Sequence, residues 1–513
     1  MAFTLDGHSN FISVWDESVH KFADRPAFFQ DGEEYSYYEV GKMVNSMAHN
    51  LREDFEIGPG HKVVIVLPNS VAFAVAYLAV QKIGALPIPL NTRLKGSQFD
   101  SLLSFLKPTA LIASQAHQEV LEPLFENHPY ILHRIGLNMA EPDWDSFEEL
   151  ASNWAGKVSC AKIAPEDPAT VIFTSGTTGK PKGAVIRHCD LLWNIHVTCK
   201  VFDFCREDVH MLVVPMFHCT GLESIFPGSV FKGSACVIDE QINPSHLGDT
   251  ISRHGATTFI TVPTVLYLLS NYGGLEVEKF STLRLIGFSG SPIRPELIKR
   301  LMDTFPNCDL RNFYGLTETT SIITSINKEE LIQRPDSIGR PLPEILCSIR
   351  DKGSECPAGK IGEIMIDPRH ITTSYLNAAD LLQGRMKDNQ FRTGDLACKD
   401  EEGFYFLKGR NTDLIIVGGE NVHASEVEEV LNSHPAIKES AVIGVPNRIF
   451  GEVVKAFVVL REPDRGNALE LKKFCYERLP SYKVPIEIEF RPELPRSPSG
   501  KILKSQLREQ PNS

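Results

Sequence analysis

The sequence predicts an α/β protein of more than one domain. At 513 residues the chain exceeds what one hydrophobic core usually supports. Strand-like and helix-like segments alternate through most of residues 1–330, the pattern of mainly parallel sheets covered by helices. From Ser337 to Phe406 the texture changes to short strands broken by Gly, Pro and Asp, which fits a small antiparallel barrel or sandwich.

Val63 to Leu67 and Leu86 to Leu90 read as strands flanking the longest apolar run, Val71 to Val80. That run is too short for the ~20 residues a bilayer span needs, so it is expected as the buried helix of a βαβ unit. Ala169 to Phe173 is a further β-rich run. Leu283 to Phe288 predicts a strand and Asp309 to Tyr314 the next. Between them, Leu297, Ile298, Leu301, Met302 and Phe305 fall at helical spacing, predicting an amphipathic helix over Pro295 to Phe305. Ligands in such sheets bind beyond the carboxyl ends of the strands, where Ser289-Gly290-Ser291 and Gly315 lie. After Gly409-Arg410 a boundary is expected, then a compact α+β segment with a helix around Ser425 to Leu431 and strands at Ala441 to Val445 and Val454 to Leu460.

Composition is that of an ordinary globular protein, with 42% apolar and 23% charged residues. A formal net charge of -13 with no basic stretch argues against nucleic acid as a partner. The 11 cysteines show no C-x-x-C pair and no zinc spacing, so reduced thiols in a cytoplasmic protein are expected. No secretory signal, peroxisomal address or membrane-spanning segment is visible.

Thr174-Ser175-Gly176-Thr177-Thr178-Gly179-Lys180-Pro181-Lys182-Gly183 directly follows the β-rich run and has the chemistry of a polyphosphate cradle. Glycines let backbone amides approach anionic oxygens, hydroxyls donate to the same oxygens, and Lys180 and Lys182 bring positive charge. It is not a Walker A loop. Two residues rather than four separate Gly176 from Gly179, and Pro181 follows the lysine.

Four more strings come after it in order: Tyr314-Gly315-Leu316-Thr317-Glu318, Arg392-Thr393-Gly394-Asp395, Gly409-Arg410, and Pro495-Arg496-Ser497-Pro498-Ser499-Gly500-Lys501. With the first, they resemble the signatures of the acyl-adenylate-forming superfamily, in its acyl-CoA synthetase branch. The resemblance spans about Thr174 to Lys501. It implies a large N-terminal domain of two helix-covered sheets plus a small β-barrel over 1–411, with subdomains near 1–170, 171–335 and 336–411. A small mobile C-terminal domain would occupy 412–513.

The resemblance also implies roles. Thr174 to Gly179 and Lys182 would hold the phosphates of ATP, with Thr177 catalytic, and Ser289 to Ser291 would join them at the nucleotide. The Tyr314 ring would stack on adenine, Gly315 and Thr317 would lie beside it, and Glu318 would offer a hard carboxylate to Mg²⁺. Asp395 would accept the ribose hydroxyls and Arg410 would donate to ribose and phosphate. Lys501 would stabilise charge during adenylation. His218, in Pro215-Met216-Phe217-His218, would lie by the substrate carboxylate, although a histidine among apolar neighbours also suits a core. Gly418-Gly419-Glu420-Asn421 would line the coenzyme A tunnel, or form a plain tight turn. The stretch Pro215 to Gly221 has no Asp to pair with an α-ammonium group, which argues against an amino-acid substrate, while Glu223 one turn on leaves room for a betaine-like acid. Phe288 is expected to narrow the acyl pocket. Two departures stand out. The hinge position holds Thr412, with Asp413 beside it, and Ile366 to Tyr375 lacks the glycines of many relatives.

The expected function is an ATP- and Mg²⁺-dependent acid:CoA ligase forming AMP, acting on a short-chain, medium-chain or compact carboxylic acid, whether a fatty acid, an aryl acid or a carnitine-like acid. Alternatives are a stand-alone enzyme loading a carrier protein and a non-catalytic nucleotide-binding protein. A homodimer and a lysine acetyltransferase acting on Lys501 are further expected partners.

Overall fold

A segment apolar all round must be covered on every side. Val71–Lys82 is such a helix: every residue but Ala72 is buried, and the Ser70 hydroxyl caps it by accepting from the Phe73 amide at 3.1 Å. It links Lys62–Val66 to Leu86–Pro89, which pair in parallel as a βαβ crossover requires. Ala110–Ser114, His133–Leu137 and Asp145–Ser146 extend this to five strands, all parallel. Val64, Val66, Leu111 and Ala113 bury one face against Phe99, Leu103 and Phe125. At ~25 cal/mol per Å², each of these valine, leucine and phenylalanine side chains contributes about 1.5–3 kcal/mol.

The second sheet has nine strands. Its order is Arg340–Pro341, Ile322–Ile326, Asp309–Gly315, Leu285–Phe288, Thr258–Thr261, Val209–Leu212, Ala235–Ile238, Pro26–Gln30 and Glu33–Ser36. The strands from Asp309–Gly315 to Pro26–Gln30 are parallel, and the outer ones are antiparallel. The expected strand, helix and strand over residues 283–314 appear as Leu285–Phe288, Pro295–Thr304 and Asp309–Gly315. A third, antiparallel sheet joins Pro168–Thr174 and Lys182–Arg187, the strands flanking the phosphate-loop string, to Ser374–Tyr375.

This computed structural model describes residues 2–139, 141–174, 182–291, 293–320, 322–372, 374–378, 382–410, 413–417, 420–447, 450–462, 467–479, 481–497 and 500–509. By contact they fall into two compact units. One holds Met1–Thr174, Lys182–Ile345 and Pro368–Gly384, and the other holds Leu346–Asp367 and Arg385–Ser513.

The second unit contains two sheets. The first is the short-stranded antiparallel sheet expected after Ser337, in which Gln390–Lys399 pairs with Gly362–Ile366, Met386–Lys387 and Tyr405–Arg410. From sequence it would group with the N-terminal domain. By contact it groups with the C-terminal residues, and the Ser425 hydroxyl, on the helix Ala424–Asn432, donates to the Lys408 carbonyl at 2.5 Å. The second sheet is built on Ile437–Asn447 against Gly451–Leu460, with Glu487–Phe490 added in parallel. Val427, Leu431, Val442, Val454, Ala456 and Leu471 form its core.

Candidate active site

In the first unit the expected site residues gather where parallel strands end. Leu285–Phe288 and Asp309–Gly315 lie side by side in parallel register, so Ser289-Gly290-Ser291 and Leu316-Thr317-Glu318 leave the same edge. The Ser289 amide donates back to the Thr261 carbonyl at 3.3 Å. Gly290 then turns the chain at φ +88, a conformation only glycine adopts without strain. Tyr314 is 8% exposed, and Gly315 is exposed beside it.

Glu318 is 8% exposed and held at two points. Its Oε1 accepts from the Tyr375 hydroxyl at 2.5 Å, and its backbone carbonyl accepts from the Thr372 amide at 2.6 Å. Tyr375 is itself buried and pairs with Ala184 on the strand Lys182–Arg187, while Lys182 Nζ stands 5.9 Å from its ring centroid. Tyr375 therefore ties the carboxylate of one motif to the lysine of another. Sequence reading missed it. Ile366 to Tyr375 stands out only by lacking glycines, and nothing local marks a tyrosine whose partner lies 57 positions away.

Cys219, just past the Pro215-to-His218 string expected to line the acyl pocket, is partly exposed. His218, one residue earlier, is partly exposed. Burial, and then the nearby Arg93 cation, push its pKa down to about 4, so it is neutral at neutral pH and can pair with a polar ligand atom without adding charge. Ser175 to Pro181, Thr177 included, lie outside the described residues, as does the side chain of Thr174.

In the second unit the two expected ribose residues are paired in backbone register across neighbouring strands. Asp395, on Gln390–Lys399, is the direct cross-strand partner of Arg410, on Tyr405–Arg410. A bulge creates that pairing: Ala397 lies opposite Leu407 but Leu396 opposite Gly409, so Lys408 is the extra residue. Asp395 is 6% exposed, and its amide donates to the Thr393 hydroxyl at 3.1 Å. Glu363, also missed from sequence, fixes the neighbouring strand by accepting from Arg392 at 2.7 Å and from the Gly394 amide at 3.0 Å. An acid opening the apolar strand Gly362–Ile366 is the one signal that marked it.

Lys501 is exposed on a short reversal at Gly500, φ +82. The Ser497 amide donates to the Lys501 carbonyl at 2.7 Å, and the Lys501 amide donates to the Ser497 hydroxyl at 3.1 Å. The next helix, Lys504–Glu509, is tied to Asp413, through Arg508 at 2.9 Å and Lys504 at 3.5 Å. Thr412, Gly418 and Gly419 lie outside the described residues, as do the side chains of Arg410, Glu420 and Asn421.

Glu318 suits Mg²⁺. Among the described residues no group of three or more His, Cys, Asp and Glu converges on a metal site. A single hard carboxylate is enough for Mg²⁺, which is usually held by one or two carboxylates with nucleotide phosphates and waters completing its octahedron. Among the described residues no helix is long and apolar enough to cross a membrane.

The model of the AMP-binding enzyme family matches residues 15–376, and that of the AMP-binding enzyme C-terminal domain matches residues 426–501. The chain belongs to the AMP-binding enzyme family.

An indoleacetate–CoA ligase of Aromatoleum aromaticum is 30% identical over 92% of both chains. A long-chain-fatty-acid–CoA ligase of Escherichia coli is 28% identical over 98% of this chain and 95% of its own. Among solved structures, o-succinylbenzoate CoA synthetase from Bacillus subtilis, in complex with its acyl-adenylate intermediate, superposes with a TM-score of 0.86 at 27% identity, covering 97% of this chain and 98% of its own. The same synthetase is known with ATP and magnesium ion. By class this family member is an AMP-forming acid:CoA ligase with ATP and coenzyme A as co-substrates and Mg²⁺ as cofactor.

Proposed function

We propose that this ligase activates a short, medium or otherwise compact carboxylic acid. The observation that carries the reading is Phe288, 0% exposed at the last position of its strand, next to Ser289 and opposite Asn312 and Thr261. A rigid ring at the strand end that opens the ligand-binding edge limits how deep an acyl chain can reach.

The reaction has two halves. A carboxylate oxygen attacks the α-phosphorus of ATP, forming the acyl–AMP anhydride and expelling pyrophosphate. The coenzyme A thiol then attacks the acyl carbonyl, loses its proton, forms the thioester and expels AMP. Lys501 supplies positive charge as the α-phosphate passes through its pentacoordinate transition state. Asp395 and Arg410 hold the ribose, and neutral His218 accompanies the substrate carboxylate. Bound Mg²⁺ would neutralise phosphate charge, with Glu318 as its protein ligand. The main effect of the protein is positioning, which accounts for ~7–11 kcal/mol in well-oriented reactions.

The test is a panel of aliphatic, aryl and charged carboxylic acids assayed for pyrophosphate release, with and without coenzyme A. Compact acids should release pyrophosphate, and thioester should form only when coenzyme A is present. A preference for long-chain acids would overturn the substrate reading, and pyrophosphate release without thioester would overturn the choice of acceptor.

A further inference from the structure

The turn after His218 carries a buried acid that its neighbours leave unsatisfied. Thr220–Ile225 is a single π-helical turn ahead of the helix Phe226–Lys232, with the Phe226 amide donating to the Gly221 carbonyl. Such turns are rare and concentrate at functional sites. Glu223 lies within it at 0% exposure, and neither carboxyl oxygen has a hydrogen-bond partner among the described residues. Its backbone carbonyl accepts from Asn194 Nδ2 at 2.8 Å, which anchors the turn.

Among the described residues no lysine or arginine pairs with Glu223. Tyr77 and Gln81, one turn apart on Val71–Lys82, are 0% and 1% exposed. Tyr77 Oη and Gln81 Oε1 also lack partners among the described residues, while Gln81 Nε2 donates to the Ala169 carbonyl at 2.8 Å. Burial first, and then the Glu223 carboxyl, push the pKa of both the Tyr77 hydroxyl and the Cys219 thiol up. From the helix His188–Val201 the charged group that acts on Glu223 is Asp190, another acid, which is itself paired to Arg187 at 2.7 Å. Burial first, and then Asp190, hold the Glu223 carboxyl well above the usual carboxylate range.

Leaving a carboxyl this isolated is costly, so its retention calls for a ligand that relieves it. We propose that Glu223 recognises a positively charged group on the acyl substrate, so that the preferred acid carries an ammonium-type centre remote from its carboxylate. The proposal rests on the ligase reading above. His218, Cys219 and Thr220, one turn earlier, are partly exposed, so the cluster sits one turn behind the segment read as acyl-pocket lining. A cation that parts this turn gives Glu223 its counter-charge and the Tyr77 ring a cation–π partner. The carboxyl then ionises, and its proton leaves to solvent.

The experiment compares 4-(trimethylammonio)butanoate with 5,5-dimethylhexanoate, which share one shape and differ by a charged nitrogen for a neutral carbon. The wild-type protein should favour the cation in kcat/KM for pyrophosphate release by roughly tenfold or more, the order that contact with a buried charge carries. In Glu223→Gln that ratio should fall by about as much. Calorimetry of the wild-type protein in two buffers of different ionisation enthalpy should show about one proton released on binding the cation and none on binding the neutral acid. This measurement needs no variant to fold. Preference for the neutral isostere, an unchanged ratio in Glu223→Gln, or a Glu223-dependent preference for an uncharged hydroxy acid would overturn the inference while leaving the ligase reading intact. Failure of every acid to release pyrophosphate would overturn both.

Discussion

Replacing Tyr375 with Phe removes one oxygen and leaves the ring, so it tests a single contact. The hydroxyl donates to Glu318 Oε1 at 2.5 Å from a position 1% exposed. A hydrogen bond to a charged group contributes about 1.5–3 kcal/mol, and a tenfold rate change is about 1.4 kcal/mol. Losing it should therefore lower kcat/KM for pyrophosphate release by about 10- to 100-fold, with a rise in the Mg²⁺ concentration needed for half-maximal rate. The contact acts through Glu318, so the variants should not be additive. In a Glu318→Gln background, Tyr375→Phe should cost less than about twofold. Pyrophosphate–ATP exchange is sensitive enough to follow both single variants and the double. Equal losses in the two backgrounds, or a Mg²⁺ dependence identical to wild type, would refute the argument that Tyr375 works by aiming this carboxylate.

Three further outcomes are expected. Lys501→Ala should lose acid-dependent pyrophosphate release by orders of magnitude yet still convert supplied acyl-AMP to thioester; acetylation at Lys501, verified by mass spectrometry, should do the same because it removes the same charge. Phe288→Ala should shift preference toward longer or bulkier acids by the ~1–3 kcal/mol that one or a few methylenes carry, at a stability cost of about 3–5 kcal/mol read from urea unfolding. His188, His210 and His218 are all pushed down to about 4 by burial. Depressed histidines leave the unfolded chain binding more protons between pH 4 and 6.5, so stability should be full above 6.5 and fall as the pH drops toward 4. His210, which contacts the Thr258 and Ser234 hydroxyls at 2.7 and 2.9 Å, should flatten that slope when changed to Gln, and an unaltered urea midpoint against pH would contradict its share.

The readable parts of this chain were those where neighbours in sequence do the work. Val71 to Val80 could be placed because a run apolar on all sides is too long for a strand and too short for a membrane. Gly290 could be placed because a strand ends and a polar turn begins within three residues. Tyr375 and Glu363 could not, because their meaning comes from partners 57 and 29 positions away, and a tyrosine or glutamate in a short strand looks the same with or without them. Glu223 lies between these cases. Its position one turn past His218 was visible, but that neither carboxyl oxygen finds a partner among the described residues depends on how distant segments pack, which the local pattern does not show.

The extra residue at Lys408 has an evolutionary consequence. Counting back from Lys399 opposite Tyr405, an unbulged ladder would set Asp395 against Gly409 and turn Arg410 to the other side of the sheet. Deleting one amino acid at this point would therefore separate the acid from its arginine with neither of them mutated. Lengthening the Asp400 to Phe404 connection would leave the pair in phase. The tip of this hairpin is free to vary in length from one descendant to the next, whereas the stretch between Leu407 and Arg410 can change its side chains but not its count.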